Sequence, residues 1–296
     1  MCKVQKHIFI MLLFPFIMWG CISEVTIDDD FKENEVVLNC ILDAQSDTVV
    51  VQLSYSKPIQ ATDLFEPIKD AQIQLFEGKT KIGEFVWSDS STYILPFSVL
   101  PGKIYWIEAT AGNIKVWAET TVPNAINATI EKDTSGLYNY YSFGILLNDS
   151  PEEVNYYWIS ATGFEGIEGN KSKNIACALY SNFEYADDFN QTIYQNGSYK
   201  FEYEYYIRFA DSVLPGGKTE IVFYPQCISN PIEVFLLSTD YHLDKYMKSS
   251  LLLQNMDLYA EDMPIIYAPF PMYSNINGGT GIFGSYNSVS EKYDGK

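Results

Sequence analysis

The sequence predicts a mainly β protein: a β-sandwich domain followed by a second, mostly β domain with one helix near the C-terminus. Three observations predict it. Apolar residues recur with period two along most of the chain. The 23 Tyr and 18 Phe favour pleated, half-buried strands. Turn signals of Gly, Pro, Asn and Asp punctuate the alternating stretches.

In "VVLNCIL" (36–42), Leu38, Cys40 and Leu42 share one face. In "DTVVVQLSYS" (47–56), Val49, Val51, Leu53 and Tyr55 do the same. "AQIQLFEG" (71–78) and "KIGEFVW" (81–87) flank a Gly-Lys turn, and "STYILPF" (91–97) follows. "LPGKIYWIEAT" (100–110) opens on a Pro-Gly turn, and "NIKVWAETTVP" (113–123) completes seven strands. Seven regularly spaced strands suggest a sandwich. The tyrosine of "LPGKIYW" is similar to the tyrosine corner of immunoglobulin-like and transthyretin-like modules. Val122-Pro123 closes this first domain, 35–123, because Pro cannot continue a central strand.

Residues 124–290 read as the second domain. Strands are expected at 127–133, 140–149, 153–163, 201–209, 218–225 and 231–238, with 164–200 as long loops carrying one apolar piece, "IACALY". In 201–209, Phe201, Tyr203, Tyr205, Ile207 and Phe209 share one side. Glu202, Glu204, Tyr206 and Arg208 share the other. Helical spacing predicts a helix over about 239–255, with Thr239 as its cap and Asp240 in its first turn. The last aromatic stretch, to about residue 286, reads as an edge strand, and 291–296 as a tail.

The N-terminus carries an address. Lys3, Lys6 and His7 precede an apolar run over 8–19, which ends at Gly20-Cys21. A basic start, a short apolar core and a small residue before the cut describe a signal peptide, 1–20. A run of about 12 residues falls short of the roughly 20 that cross a bilayer. The junction resembles bacterial lipoproteins, in which the cysteine after the cut is acylated, so Cys21 is the expected lipid anchor. Residues 21–34 form an acidic tether containing Asp28, Asp29 and Asp30. Acids after a lipidated cysteine resemble the export signal of surface lipoproteins in the Bacteroidota. Cell-surface display is the expectation, and a periplasmic face the alternative.

Composition excludes some functions. The chain is 47% hydrophobic, too apolar for disorder, and its net charge is −19. Cleavage would remove Lys3 and Lys6 but no acid, leaving 38 acids and 17 bases, net −21. Such a surface repels nucleic acid. Arg208 is the sole arginine, so arginine clusters for phosphate or carboxylate are absent.

Several segments together resemble one family over nearly the whole mature chain. They are "VVLNCIL", "DAQIQLFEG" with the following "YWIEA", "VPNA", "ILLNDSPEEVNYYWISA", "FADSVLPGGK", "EVFLLSTDYHLDKYMKSS" and "SNINGGTGIFGSY". The chain resembles the Bacteroidota outer-membrane lipoproteins known as domain of unknown function 4249. The Asn-Tyr-Tyr segment and "SNINGGTGIFGSY" are the most specific marks. Ser150 stands where a proline is expected, with Pro151 one place later. The resemblance implies a sandwich, a mostly β second domain, an outer-membrane address and frequent neighbourhood with TonB-dependent transporters. It implies no catalytic activity and no site residues.

Chemistry-bearing residues are sparse. Beyond the signal peptide His242 is the one histidine, expected to be solvated or packed on tyrosine. Multi-histidine metal sites are thereby excluded, and no cofactor is expected. With Cys21 acylated, Cys40 is read as buried, and Cys177 and Cys227 as a possible disulfide. Asp187-Asp188 and Glu202/Glu204 are the carboxylate pairs a glycosidase would use, but read as solvation. "GGTG" (278–281) reads as a turn. Tyrosines at 138–141, 156–157 and 203–206, with Trp158, serve either a core or a ligand surface. Thr48 and Ser212 sit in short Asp-Ser/Thr-apolar patterns of the kind used for bacterial O-glycosylation. The expectation is a lipid-anchored, non-enzymatic accessory or ligand-binding partner of a TonB-dependent transporter. The alternative is a surface adhesin or structural module binding glycans or proteins.

Overall fold

The computed structural model describes residues 35–57, 65–89, 91–133, 142–150, 153–167, 171–181, 183–187, 205–227, 231–259 and 272–294. The signal peptide, Cys21 and the tether lie outside these residues. So do Tyr138–Tyr141, Asp188 and Glu202 to Glu204.

Seventeen strands and one long helix are described. The first eight strands are β1 (Val36–Asp43), β2 (Thr48–Tyr55), β3 (Gln72–Glu77), β4 (Thr80–Glu84), β5 (Val86–Asp89), β6 (Thr92–Pro96), β7 (Ile104–Ala111) and β8 (Ile114–Thr121). Then come β9 (Ala128–Asp133), β10 (Ser142–Asp149), β11 (Tyr156–Ile167), β12 (Lys171–Ala176), β13 (Ala178–Ser181) and β14 (Ile207–Ala210). β15 (Gly217–Gln226), β16 (Ile232–Thr239), helix α1 (Tyr241–Tyr259) and β17 (Thr280–Tyr293) complete the chain. The mainly β class with one helix near the C-terminus is as the alternation predicts.

The architecture is two sandwiches that share a sheet. A nine-stranded sheet runs β12-β11-β16-β17-β1-β2-β6-β5, with β14 paired to β11. One half faces the small sheet β4-β3-β7-β8; the other faces β13-β15-β10-β9. In the first lobe, Leu38, Val51 and Leu53 meet Leu75, Ile107 and Ala118. In the second, Ile159, Phe209 and Leu236 meet Ile145, Leu147 and Phe223. Each set comes from alternate positions of its strand, the residues that the pleat turns inward.

Local sequence explains several joins. Tyr105 accepts a hydrogen bond from the Leu100 N–H at 2.9 Å, closing the turn at Pro101-Gly102 as a tyrosine corner does. The expected strand 81–87 divides at Phe85: β4 belongs to the small sheet and β5 to the large one. Phe85, between the two strands, is buried in the first core.

The structure corrects four expectations. The boundary at 123/124 does not separate two bodies, since Glu33–Lys296 cluster as one unit. The joint is β17, which pairs antiparallel with β16 and parallel with β1, Leu38 opposite Gly281. β17 is therefore central rather than an edge, and residues 291–293 belong to it rather than to a tail. The helix cap is Asp240, whose Oδ1 accepts the Leu243 N–H at 2.9 Å, while Thr239 ends β16. β11 extends through Ile167 into the stretch expected to be loop, while of the strand expected over 201–209 residues 201–204 lie outside the described residues and Ile207–Ala210 is strand.

Gly279 and Gly281 let β17 approach β1. A Cβ at Gly281 would overlap the Leu38 carbonyl oxygen, and its φ of +116° suits glycine. "GGTG" is thus a turn that leads into a strand, as its composition suggests.

Candidate binding site

A cavity of about 380 Å³ opens where the 124–127 connection meets the β10–β11 turn. Its polar lining includes Asn124, Asn127, Asn148, Asp149, Glu153, Asn155, Tyr157 and Ser238. Asp149 ends β10 and Tyr157 lies on the inward face of β11, so two opposed sheets bring them together. The Tyr157 hydroxyl donates to Asp149 Oδ1 at 2.5 Å. Asn124 Nδ2 donates to Glu153 Oε1 at 2.6 Å, and the Ser238 hydroxyl to Asn155 Oδ1 at 3.2 Å. Asp211, in a 3-10 turn after β14, holds the Asn155 segment from behind. Its Oδ2 accepts the Asn155 N–H at 2.8 Å.

The field in this cavity is negative. Burial pushes the Tyr157 phenol well above its usual range, and Asp149, Asp211 and Glu153 push the same way. The Asp211 carboxyl is raised too, first by burial. Among the described residues, no Lys, Arg or His lines the cavity. The arrangement offers carboxylate acceptors and amide donors to a neutral or cationic polar ligand, and it disfavours anions. Among the described residues, no group of three His, Cys, Asp or Glu side chains is placed to hold a metal ion.

A second polar constellation lies on the opposite face of the large sheet. Helix α1 covers it through Leu243, whose Cβ sits against Gly284. Beneath α1, Trp158 Nε1 and Arg208 Nε both donate to Asp244 Oδ1, at 3.0 and 2.9 Å. Asp187 Oδ2 accepts from Arg208 Nη1 at 2.7 Å and from Lys248 Nζ at 2.8 Å. Asp187 is therefore a structural partner, not a solvated loop acid. Arg208 does face away from the strand's apolar side, as the alternation requires, but α1 buries that side.

The other singled-out residues are dispersed. Cys177 and Cys227 are joined by a disulfide, their Cα atoms 5.1 Å apart, and Cys40 is a buried free thiol. His242 Nδ1 lies 2.7 Å from the Tyr273 hydroxyl, with its ring stacked on that tyrosine. Tyr157 and Trp158 are buried, whereas Tyr205 is exposed. Ser212 is exposed on its turn; Thr48 is half-buried at the start of β2. The cavity residues drew no chemical reading from sequence. Their signal was the Asn-Asp-Ser-Pro run between two strands, inside the segment on which the family resemblance most depends.

Fold and cavity define a class: a two-lobed β-sandwich protein with a polar hollow beside the connection between its lobes. The chain belongs to the family described as domain of unknown function (DUF4249), which matches residues 22–292. No curated protein matches the chain in sequence. Among solved structures, it is similar to the Enterococcus faecalis MSCRAMM ACE at 11% identity, covering 90% of this chain and 96% of that one, TM-score 0.24. It is similar to the collagen binding domain of the Erysipelothrix rhusiopathiae surface protein RspB at 10% identity, covering 89% and 98%, TM-score 0.19. A protein of Corynebacterium diphtheriae described as membrane anchored matches at 11% identity, covering 70% of this chain and 55% of that one, TM-score 0.20. Overlap at this level is common to β-rich chains, so the topology rests on this chain's own strand pairings.

Proposed function

We propose that the chain is a lipid-anchored lipoprotein of the bacterial outer membrane, displayed at the cell surface. In this reading it is a non-enzymatic, ligand-binding accessory of a TonB-dependent transporter. One observation carries the binding role: a polar cavity lined in part by one of the segments that carry the family resemblance, Asn148 to Tyr157. Cys21 supplies the anchor, and the resemblance set out above supports the transporter partner. The mechanism is steric: the lobes dock on a barrel rim and present ligand to it.

Affinity capture of the native lipoprotein from solubilised outer membranes is expected to recover a TonB-dependent barrel. Repeated recovery of the lipoprotein alone overturns the partnership. Fatty-acid labelling is expected to be lost in Cys21→Ser, and protease shaving of intact cells reports the side occupied. A second reading, a surface adhesin, is favoured by Trp106 and Trp117, half-buried on the outer face of the first lobe. Their rings stack 4.3 Å apart at 12°. It predicts matrix or glycan binding with no barrel recovered.

A further inference from the structure

We propose that the cavity bounded by Asp149, Glu153, Asn155 and Ser238 is a saccharide site that takes a neutral, polyhydroxylated ring. The proposal rests on the ligand-binding half of the reading above and names the class of ligand.

Charge removes the first alternatives. Asp149 and Glu153 line the cavity, Asp211 stands one hydrogen bond behind it, and among the described residues no cationic side chain lines the cavity. Phosphorylated or carboxylated ligands would be repelled. Neutral polyols and cations remain.

The donor inventory separates those two. Asn155 is more than nine-tenths buried, and its carbonyl oxygen is engaged by Ser238. Its Nδ2 donates to no partner among the described residues, and Asn155 lines the cavity. That donor is open to the cavity, so a ligand that brings an acceptor gains a contact here. Asp149 spends one oxygen on Tyr157 and Glu153 one on Asn124, and each keeps a second oxygen that can accept. An ammonium group or a metal ion would use those acceptors and leave the Asn155 donor unmatched. A sugar hydroxyl both accepts and donates, so vicinal hydroxyls can bridge Asn155 and a carboxylate together. The volume of about 380 Å³ lies in the range of small-molecule sites. The Tyr157 ring is packed on Phe209, 5.2 Å between centroids, so recognition is by hydrogen bonds rather than face-on stacking.

The test uses the full-length protein in detergent. Saturation-transfer NMR and calorimetry probe glucose, galactose, mannose, N-acetylglucosamine, maltose and cellobiose, with spermidine and calcium chloride as cationic probes. At least one sugar is expected to bind. Asn155→Ala and Glu153→Ala should each weaken it at least tenfold, and Trp106→Ala should leave it unchanged. Glu153 is partly solvent-exposed, so its variant is expected to fold even if Asn155→Ala does not. The proposal fails if no sugar binds, if binding survives both cavity variants, if Trp106→Ala abolishes it, or if only the cations bind. Sugar binding without a captured barrel leaves this site standing. A captured barrel without sugar binding overturns this inference alone.

Discussion

Arg208 grips Asp244 with two parallel hydrogen bonds, Nε to Oδ1 and Nη2 to Oδ2, each 2.9 Å long. Both residues are buried, at 6% and 1% exposure, between the outer face of the large sheet and α1. Removing one partner strands the other charge in an apolar seam. Asp244→Asn or Arg208→Met is expected to cost about 3–5 kcal/mol in urea unfolding. The double variant Arg208→Met/Asp244→Leu should recover much of that loss, because two apolar side chains need no desolvated charge. A double-variant loss equal to the sum of the single losses would show that the pair does not act as a unit.

Asp240 couples three elements. Its carboxylate accepts from Leu243 N–H in α1, Ser285 N–H in β17 and the Thr120 hydroxyl in β8. Burial nonetheless raises its carboxyl above the ordinary value of 3.8. A raised folded-state value means that the folded protein binds this proton more tightly than the unfolded chain. Its contribution to stability is complete below the ordinary value and is lost as pH climbs through the raised one. Asp240→Asn keeps the Oδ1 contacts and removes the titration, so the wild type minus variant difference should fall with pH across that window. Asp240→Ala loses the cap as well, about 1–2 kcal/mol by chemical denaturation, in addition to the same pH-dependent difference.

Gly281 should not tolerate a side chain. Alanine there meets the Leu38 carbonyl of the neighbouring strand and must adopt a left-handed backbone. Gly281→Ala is expected to destabilise by at least about 2 kcal/mol. Gly112→Ala, also left-handed but facing open space, should cost less. Comparable losses would mean that contact with β1 does not limit the position.

The Cys177–Cys227 disulfide closes a loop with a sequence separation of 50. Loop-closure entropy assigns such a link about 4 kcal/mol, an upper figure for many real proteins. Reduction, or Cys177→Ala/Cys227→Ala, should lower unfolding free energy by about 2–4 kcal/mol. Cys40 should stay unlabelled by maleimide in the native protein, since burial pushes its thiol far up from 9.0. Rapid labelling of Cys40 would contradict its burial.

Much of this was legible in strand period. Val49, Val51 and Leu53 alternate in sequence and lie together in the core, and Tyr105 closes the turn its position suggests. What period two cannot express is what covers a strand's other face. Arg208 was legible as pointing away from Ile207 and Phe209, yet nothing near it in sequence shows α1 arriving above. The pairing of β17 with β1 joins residues some 240 apart, where no local pattern reports a partner. The cavity was hidden for a related reason. Asn124, Asp149 and Asn155 are each ordinary turn residues, and only the sheets bring them to one hollow.

The placement of β17 also bears on how the chain matures. The strand that seals the first lobe, and sits beside its opening strand, is the last of the described strands in chain order. Until it arrives, β1 and β16 each present an unzipped margin, and Phe283 is missing from the first core. A product cut short before residue 280 would leave both halves unfinished at once. One late strand thus serves as the shared seam on which both halves depend.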